Sequence, residues 1–221
     1  MKGKRLKTTV LSARLIPNAD AALLASLQVP SGYCSLGLFT TDCDDVSYTA
    51  LDEATKKADV RVVYARSMYA GSGNASTALA GEFLGIIAGP NPEEVKSGLL
   101  AATEFCADGG CFYSANADDS IVYFAHCISR TGLYLSAQAG IAEGGALAYL
   151  IAPPIEALLG LDAALKAAQV ELKLFYGPPT ETNFAGGLLS GEQSACQAAC
   201  EAFAYAVCAV ADKPLEILLS Q

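Results

Sequence analysis

Asp44, Asp45 and Glu82 are the side chains whose type and placement most invite chemistry. The two aspartates close the acidic run Thr41-Asp-Cys-Asp-Asp45 after one apolar stretch, and Glu82 opens another, Phe83-Leu-Gly-Ile-Ile87. If those stretches are neighbouring strands, three carboxylates gather at one end of a sheet, an arrangement that attracts cations. Solvated strand ends are the simpler reading of the same residues. His126 beside Cys127 suggests a nucleophile pair or a metal ligand. A lone histidine in an apolar strand reads more simply as core, because a metal needs partners at defined spacings. Cys196 and Cys200 share a helix face with Ala199, Phe203 and Val207, where cysteine packs as a small hydrophobe. Gly71-Ser-Gly73 lacks the lysine of a P-loop and the third glycine of a dinucleotide fingerprint. No acid–base–nucleophile set is visible, so neither a catalytic nor a metal site is expected and the chain reads as a non-enzyme.

The elements that must position these residues come in duplicate. Leu51-Asp-Glu-Ala-Thr-Lys-Lys-Ala-Asp-Val60 returns as Leu161-Asp-Ala-Ala-Leu-Lys-Ala-Ala-Gln-Val170, a spacing of 110 (161 − 51). Both copies read as a short amphipathic helix running into a strand. Ser35–Thr40 precedes the first as Ala146–Ile151 precedes the second, and Glu82–Gly89 matches Phe184–Gly191 downstream. A period near half the chain signals duplication of a domain rather than a short solenoid repeat. The expected division is 1–112 and 113–221, with the seam near Asp108-Gly-Gly110. Each copy reads as extra strand, strand, helix, strand, loop, strand, helix. The extra strands are residues 8–16 and 120–128, the helices lie near Leu51–Ala58 and its repeat, and Arg130–Tyr134 is a turn. The loops Ala70–Thr77 and Gly177–Asn183 are aperiodic and rich in small residues or proline. Such alternation predicts an α/β (α+β) fold with helices packed on a sheet.

Composition narrows the function. Of 221 residues only 17% are charged and 52% are hydrophobic, with mean hydropathy +0.34. Soluble domains usually carry roughly 25% charge, so the chain is expected to hide surface against copies of itself. The net charge of −9 argues against nucleic acid, which asks for a basic stripe. A membrane span needs about 20 apolar residues, and the stretch Ala142–Leu161 is broken by Glu143, Pro153, Pro154 and Glu156. The basic start Met1–Lys7 resembles the head of a signal peptide, but Arg14 and Pro17 interrupt the apolar region that should come after it. A cytosolic, soluble, self-associating protein with eight reduced cysteines is expected.

The repeated unit resembles the bacterial microcompartment (BMC) shell domain through Ser35-Leu-Gly-Leu-Phe-Thr40, Leu51–Tyr64 and Glu82–Ala102. The strand ahead of the first signature in both copies resembles the tandem, circularly permuted version, with a ferredoxin-like sheet and helices packed on it. Thr41–Tyr48, Val63–Gly71, Gly89-Pro-Asn-Pro92, Ser129-Arg-Thr-Gly132, Ala152-Pro-Pro154 and Pro178-Pro-Thr-Glu-Thr-Asn183 are similar to ethanolamine utilization shell proteins of the L type. That resemblance implies a homotrimer of two-domain subunits, a pseudohexagonal tile meeting other shell proteins edge to edge in a cytoplasmic microcompartment. It implies a gated central pore lined by loops that include Arg66, Tyr69, Gly71, Gly73, Asn74, Tyr176, Pro178 and Pro179. It also implies a small acidic pore for ethanolamine, a cation, formed by Asp44, Asp45, Glu82, Phe112, Thr182, Asn183 and Phe184. No cofactor is required. The pathway's ammonia-lyase uses a corrinoid, which makes cobalamin a candidate ligand or cargo of an open central pore. Two other classes stay open on the residues alone: a soluble two-domain small-molecule-binding regulator, and an enzyme using Cys127 with His126.

Overall fold

The computed structural model describes residues 3–68, 79, 81–178 and 180–215. In chain order the first elements are β1 (Arg5–Leu6), β2 (Val10–Ile16), α1 (Ala21–Ser26), β3 (Ser35–Thr41), α2 (Asp44–Lys57), β4 (Arg61–Ser67), β5 (Phe83–Gly89) and α3 (Pro92–Glu104). A π-helical turn, Phe105–Gly109, extends α3. Next come β6 (Phe112–Ser114), β7 (Val122–Ile128), α4 (Leu133–Ala139), β8 (Ala146–Ala152), α5 (Pro154–Ala167), β9 (Val170–Tyr176), β10 (Ala185–Gly191) and α6 (Gln193–Asp212).

Two compact units result, and they are not the contiguous spans 1–112 and 113–221. The first is Lys7–Cys111 with Arg130–Gly144; the second is Phe112–Ser129 with the chain from Gly145 onward and the N-terminal strand. The causes are local. Arg5 and Leu6 pair with Tyr113 and Phe112, so the basic start is an edge strand of the second unit. Residues 130–144 are held in the first unit by a buried carboxylate on α2, Asp52. It accepts hydrogen bonds from the backbone N–H groups of Gly132 (2.7 Å) and Leu135 (2.8 Å). Thr55 Oγ1 accepts from Leu133 N–H at 3.0 Å, and Lys56 Nζ donates to Arg130 C=O at 3.0 Å. These bonds satisfy the orphan donors at the start of α4, a cap supplied by another helix instead of a neighbour in sequence. Gly132 is required there, because a Cβ would sit 2.3 Å from Thr55 Oγ1 and 2.6 Å from Asp52 C=O.

In the first unit the antiparallel sheet runs β2-β3-β5-β4. Alternation along β3 sends Phe39 to the face covered by α2 and α3, where it joins Leu51, Phe83, Ile87 and Val95 in a buried core. Leu36 and Leu38 take the opposite face with Ile86, Leu24 and Leu27. Asn91 caps α3 by accepting from the N–H groups of Glu93 and Glu94, with Pro92 in the first turn, where its missing N–H is no loss.

The second unit's sheet runs β1-β6-β7-β8-β10-β9, so β7-β8-β10-β9 repeats the order β2-β3-β5-β4. Leu150, Leu189, Cys196, Ala199, Cys200 and Phe203 form its core with α5. The two cysteines are therefore packing residues, as their spacing indicated. By length and composition α6 is apolar enough to cross a membrane, which corrects the expectation that no such segment exists. Its residues Cys196, Ala199, Cys200, Phe203 and Val207 lie buried along one stripe, the pattern of a helix seated on a sheet.

Candidate functional site

The acidic group forms where β3 gives way to α2 and β5 begins. Thr41 pairs with Phe83 across the sheet, and Ser67 at the end of β4 pairs with the same Phe83. Asp42–Asp45 and Glu82 therefore share one end of the first unit's sheet, the arrangement their spacing allowed. The helix was expected near Leu51 but starts at Asp44, so both aspartates lie in its first turn. Carboxylates there face the positive end of the macrodipole, which explains the extra turns. Both are buried, and Asp44 Oδ1 accepts from the Asp45 N–H at 2.9 Å.

Glu82 follows Gly81, which has φ +68; a Cβ there would lie 2.3 Å from the Thr41 carbonyl oxygen. This close crossing lets Glu82 N–H donate to Thr41 C=O at 2.8 Å while Glu82 C=O accepts from Met68 N–H at 2.8 Å. The Glu82 carboxyl is half-buried, and burial with the charges of Asp44 and Asp42 pushes its pKa up to about 7. Burial also raises Asp44, against the lowering effect of hydrogen bonds from Ser67 and from backbone N–H groups. The Cys43 thiol is pushed well up by burial and by Asp45, which leaves it a poor nucleophile at neutral pH. A cation placed among these groups would relieve their mutual repulsion and hold Glu82 ionised.

Three neighbours were absent from the sequence-based set. Asp42 charges the same corner while its Oδ1 accepts from Thr9 N–H at 2.7 Å. Tyr48, one turn along α2, shares a hydrogen bond with Ser67 (2.8 Å) and stacks on Tyr134. Asp42 was visible in the acidic run. The Tyr48–Ser67 pair depends on strand pairing and had no local signal.

The remaining residues of the expected set lie in the second unit and form a group of their own. Phe112 is buried, stacked on Phe124 (5.5 Å between ring centroids) and edge-on to Phe184 (5.9 Å). Thr180, also missed, builds the turn before Phe184. Its N–H donates to Phe184 C=O at 3.2 Å, and its hydroxyl donates to the same oxygen at 3.0 Å while accepting from Phe184 N–H at 3.1 Å. Thr182 Oγ1 lies 3.5 Å from Thr180 Oγ1. Asn183 holds φ +62, a conformation asparagine tolerates better than most side chains.

Of the expected central-pore residues, Arg66 lies on β4 and Tyr176 ends β9, its ring 6.0 Å from that of Tyr149. Pro178 is exposed. Tyr69, Gly71, Gly73, Asn74 and Pro179 lie outside the described residues. His126 stacks on Phe124 at 5.5 Å, and Cys127 Sγ donates to Gln193 C=O at 3.7 Å. Among the described residues no group of three or more His, Cys, Asp or Glu side chains is placed to hold a metal ion.

Residues 35–117 match the BMC domain family. Over 97% of its length the chain is 62% identical to the bacterial microcompartment shell protein EutL of Clostridium perfringens, covering 99% of that protein. It is 46% identical to EutL of Escherichia coli, with 96% of each chain covered. Its fold is similar to the crystal structure of the ethanolamine utilization protein EutL from Leptotrichia buccalis, with a TM-score of 0.97 and 64% identity over 98% of this chain and 100% of that one.

Proposed function

The chain belongs to the EutL family of bacterial microcompartment shell proteins, and from that premise we propose that it binds ethanolamine at the acidic end of its first unit. Membership decides the choice the residues left open: this is a structural protein of the microcompartment shell, not a free-standing regulator. On this reading it assembles as a homotrimer, and the segments following β4 and β9 gate a central pore. Cobalamin is the proposed cargo of that pore when it is open; a cobalamin titration that leaves absorption-corrected tyrosine fluorescence unchanged would remove it.

The observation that supports the ligand is Glu82, a half-buried carboxyl poised near neutrality beside buried Asp44. An ammonium group gains charge-assisted hydrogen bonds from such carboxylates, and its alcohol end asks for hydroxyl partners of the kind Ser67 and Tyr48 present. Titration calorimetry with ethanolamine should give a weak isotherm for the parent and none for Glu82→Gln combined with Asp45→Asn. An unchanged isotherm in the double variant removes the assignment. The same titration on Phe184→Ala tests whether the aromatic group takes part. Electron microscopy of concentrated protein should show flat hexagonal layers of three-fold tiles.

A further inference from the structure

Repeat equivalence carries β3 onto β8, a spacing of 111 (146 − 35), and α2 onto α5, a spacing of 110 (154 − 44). Thr41 and Ser47, on either side of Cys43, therefore stand where Ala152 and Ala157 stand in the second unit. All four are 0% exposed. Burying a hydroxyl costs free energy unless it finds a partner, and the second unit makes the same handover from strand to helix with neither one. The backbone alone does not require these two hydroxyls.

What they hold is the acidic corner. Thr41 Oγ1 reaches the Cys43 carbonyl oxygen at 2.8 Å, Ser47 Oγ reaches it at 2.7 Å, and the two hydroxyls lie 2.6 Å apart. Cys43 N–H donates to Thr41 Oγ1 at 3.3 Å. That carbonyl belongs to the peptide leading into Asp44. Through its own C=O, Thr41 also accepts from Glu82 N–H at 2.8 Å. One residue thus ties the segment carrying Glu82 to the turn carrying Asp44. The second unit fastens the equivalent residue locally: Phe184 N–H donates to Thr180 Oγ1, within its own turn, at 3.1 Å. Other repeat partners also divide between bonds across elements and local ones. Asp52 reaches across to cap α4, while Asp162 in its place is exposed and pairs with Lys166 of its own helix at 2.6 Å. Asp20, in the place of Gly132, caps its own α1 by accepting from Ala22 N–H at 2.8 Å.

We infer that Thr41 and Ser47 are positioning residues for a bound cation, their hydroxyls holding the turn of Asp44 against Glu82 before a ligand arrives. This role rests on the ethanolamine reading of the corner and says what makes the corner ready. Like charges at close range push apart, and both Asp44 and Asp42 act on Glu82. A corner free to spread would have to be drawn together by each ligand, at a loss of affinity. One held by buried hydroxyls is already in place. Neither side chain has to touch the ligand, since both lie below the surface.

Thr41→Val keeps the shape and removes the hydroxyl, whereas Thr41→Ser keeps the hydroxyl. Titration calorimetry with ethanolamine should show binding about 10-fold weaker than the parent's in Thr41→Val and in Ser47→Ala, and within about twofold of it in Thr41→Ser. Ser47→Ala leaves the Thr41 bond to Cys43 in place, so it decides the matter even where Thr41→Val fails to fold; circular dichroism checks both. A second readout needs no ligand. Followed by carbon-13 NMR, the Glu82 carboxyl should titrate closer to its ordinary 4.5 in Thr41→Val, as the aspartates draw away and water enters. In Thr41→Ser it should stay at about 7. Parent-like affinity and parent-like Glu82 titration in Thr41→Val and Ser47→Ala would overturn the inference and leave the ethanolamine reading standing. Equal losses in Thr41→Val and Thr41→Ser would overturn it as well, because the hydroxyl would then not be what matters. A parent that binds no ethanolamine would overturn both.

Discussion

The two ends where a strand hands over to a helix are equivalent by repeat and opposite in character. In the first unit β3 runs through Asp42 and Cys43 into Asp44 and Asp45, with Glu82 leading into β5. In the second, β8 runs through Pro153 into Pro154 and Ile155, with Phe184 leading into β10. Strand pairing is the same at both, Thr41 with Phe83 and Ala152 with Ala185. Each helix start is accommodated by a different device. Carboxylates answer the macrodipole of α2, and Pro154 supplies α5 with a first residue whose missing N–H is no loss. Duplication thus kept the backbone and freed the side chains. One copy became a polar, titrating corner with a buried carboxylate, and the other an aromatic corner beside an apolar helix face. Position in the fold alone is therefore a poor guide to chemistry here; the repeat partner has to be read beside it.

The comparison breaks most sharply at Asp52 and Asp162. Asp52→Ala strands two buried N–H groups of α4 and should lower stability by about 3 kcal/mol. Asp162→Ala removes an exposed helix ion pair and should change it by no more than about 0.5 kcal/mol. Urea midpoints measure both, and equal effects would mean that α4 is not held by its cap. At the next size, Gly132→Ala forces a methyl group against Thr55 and Asp52 and should cost about 2 kcal/mol. Its repeat partner change, Asp20→Ala, loses one local cap, worth about 1 kcal/mol.

Smaller than the Asp52 and Gly132 effects is the pH dependence of Glu82. Its carboxyl titrates at 4.5 when unperturbed and at about 7 in the fold. Between those values the native state holds the proton that the unfolded chain has released, so stability falls as pH rises through this window and levels off above it. Glu82→Gln should lack that fall. After allowance for solvent screening of a half-exposed group, it should exceed the parent by about 1 kcal/mol at pH 8. Phe184→Leu at the equivalent position should leave the pH profile unchanged in shape. Binding of a cation should release protons between pH 6 and 7, on the order of the protonated fraction of Glu82, and calorimetry in buffers of different ionisation enthalpy reads that release.

Much of this was legible from residues. Buried apolar runs such as Ser35–Thr40 and Ala146–Ile151 gave the strands, and the duplicated helix-strand signature gave the two-fold plan. The acidic corner was legible because its members flank strands that pair. The misses share a cause in tertiary context. Residues 133–139 have no distinctive helical pattern, and their donors are satisfied by Asp52, about 80 positions earlier in the chain. A two-residue strand such as Arg5–Leu6 carries no periodicity to detect. The start of α2 was hidden because an Asp-Asp pair suits a loop and a helical first turn equally. The repeat alignment already sets Glu82 opposite Phe184, but the opposed characters of the two corners depend on the burial and charge of what surrounds each, which the fold supplies.

The helix α4 has a consequence for how the protein is made. It is encoded in the second repeat but completes the first unit, so that unit lacks its last segment until Gly144 has been synthesised, 33 residues (144 − 111) beyond Cys111. The strand β1 is made first and must wait for Phe112 and Tyr113 before it has a partner. A ribosome releasing this chain therefore cannot finish one half and then begin the other. A gene cut at the repeat boundary would yield two fragments, each missing a piece held by its sibling, which ties the duplicated halves into a single unit of inheritance.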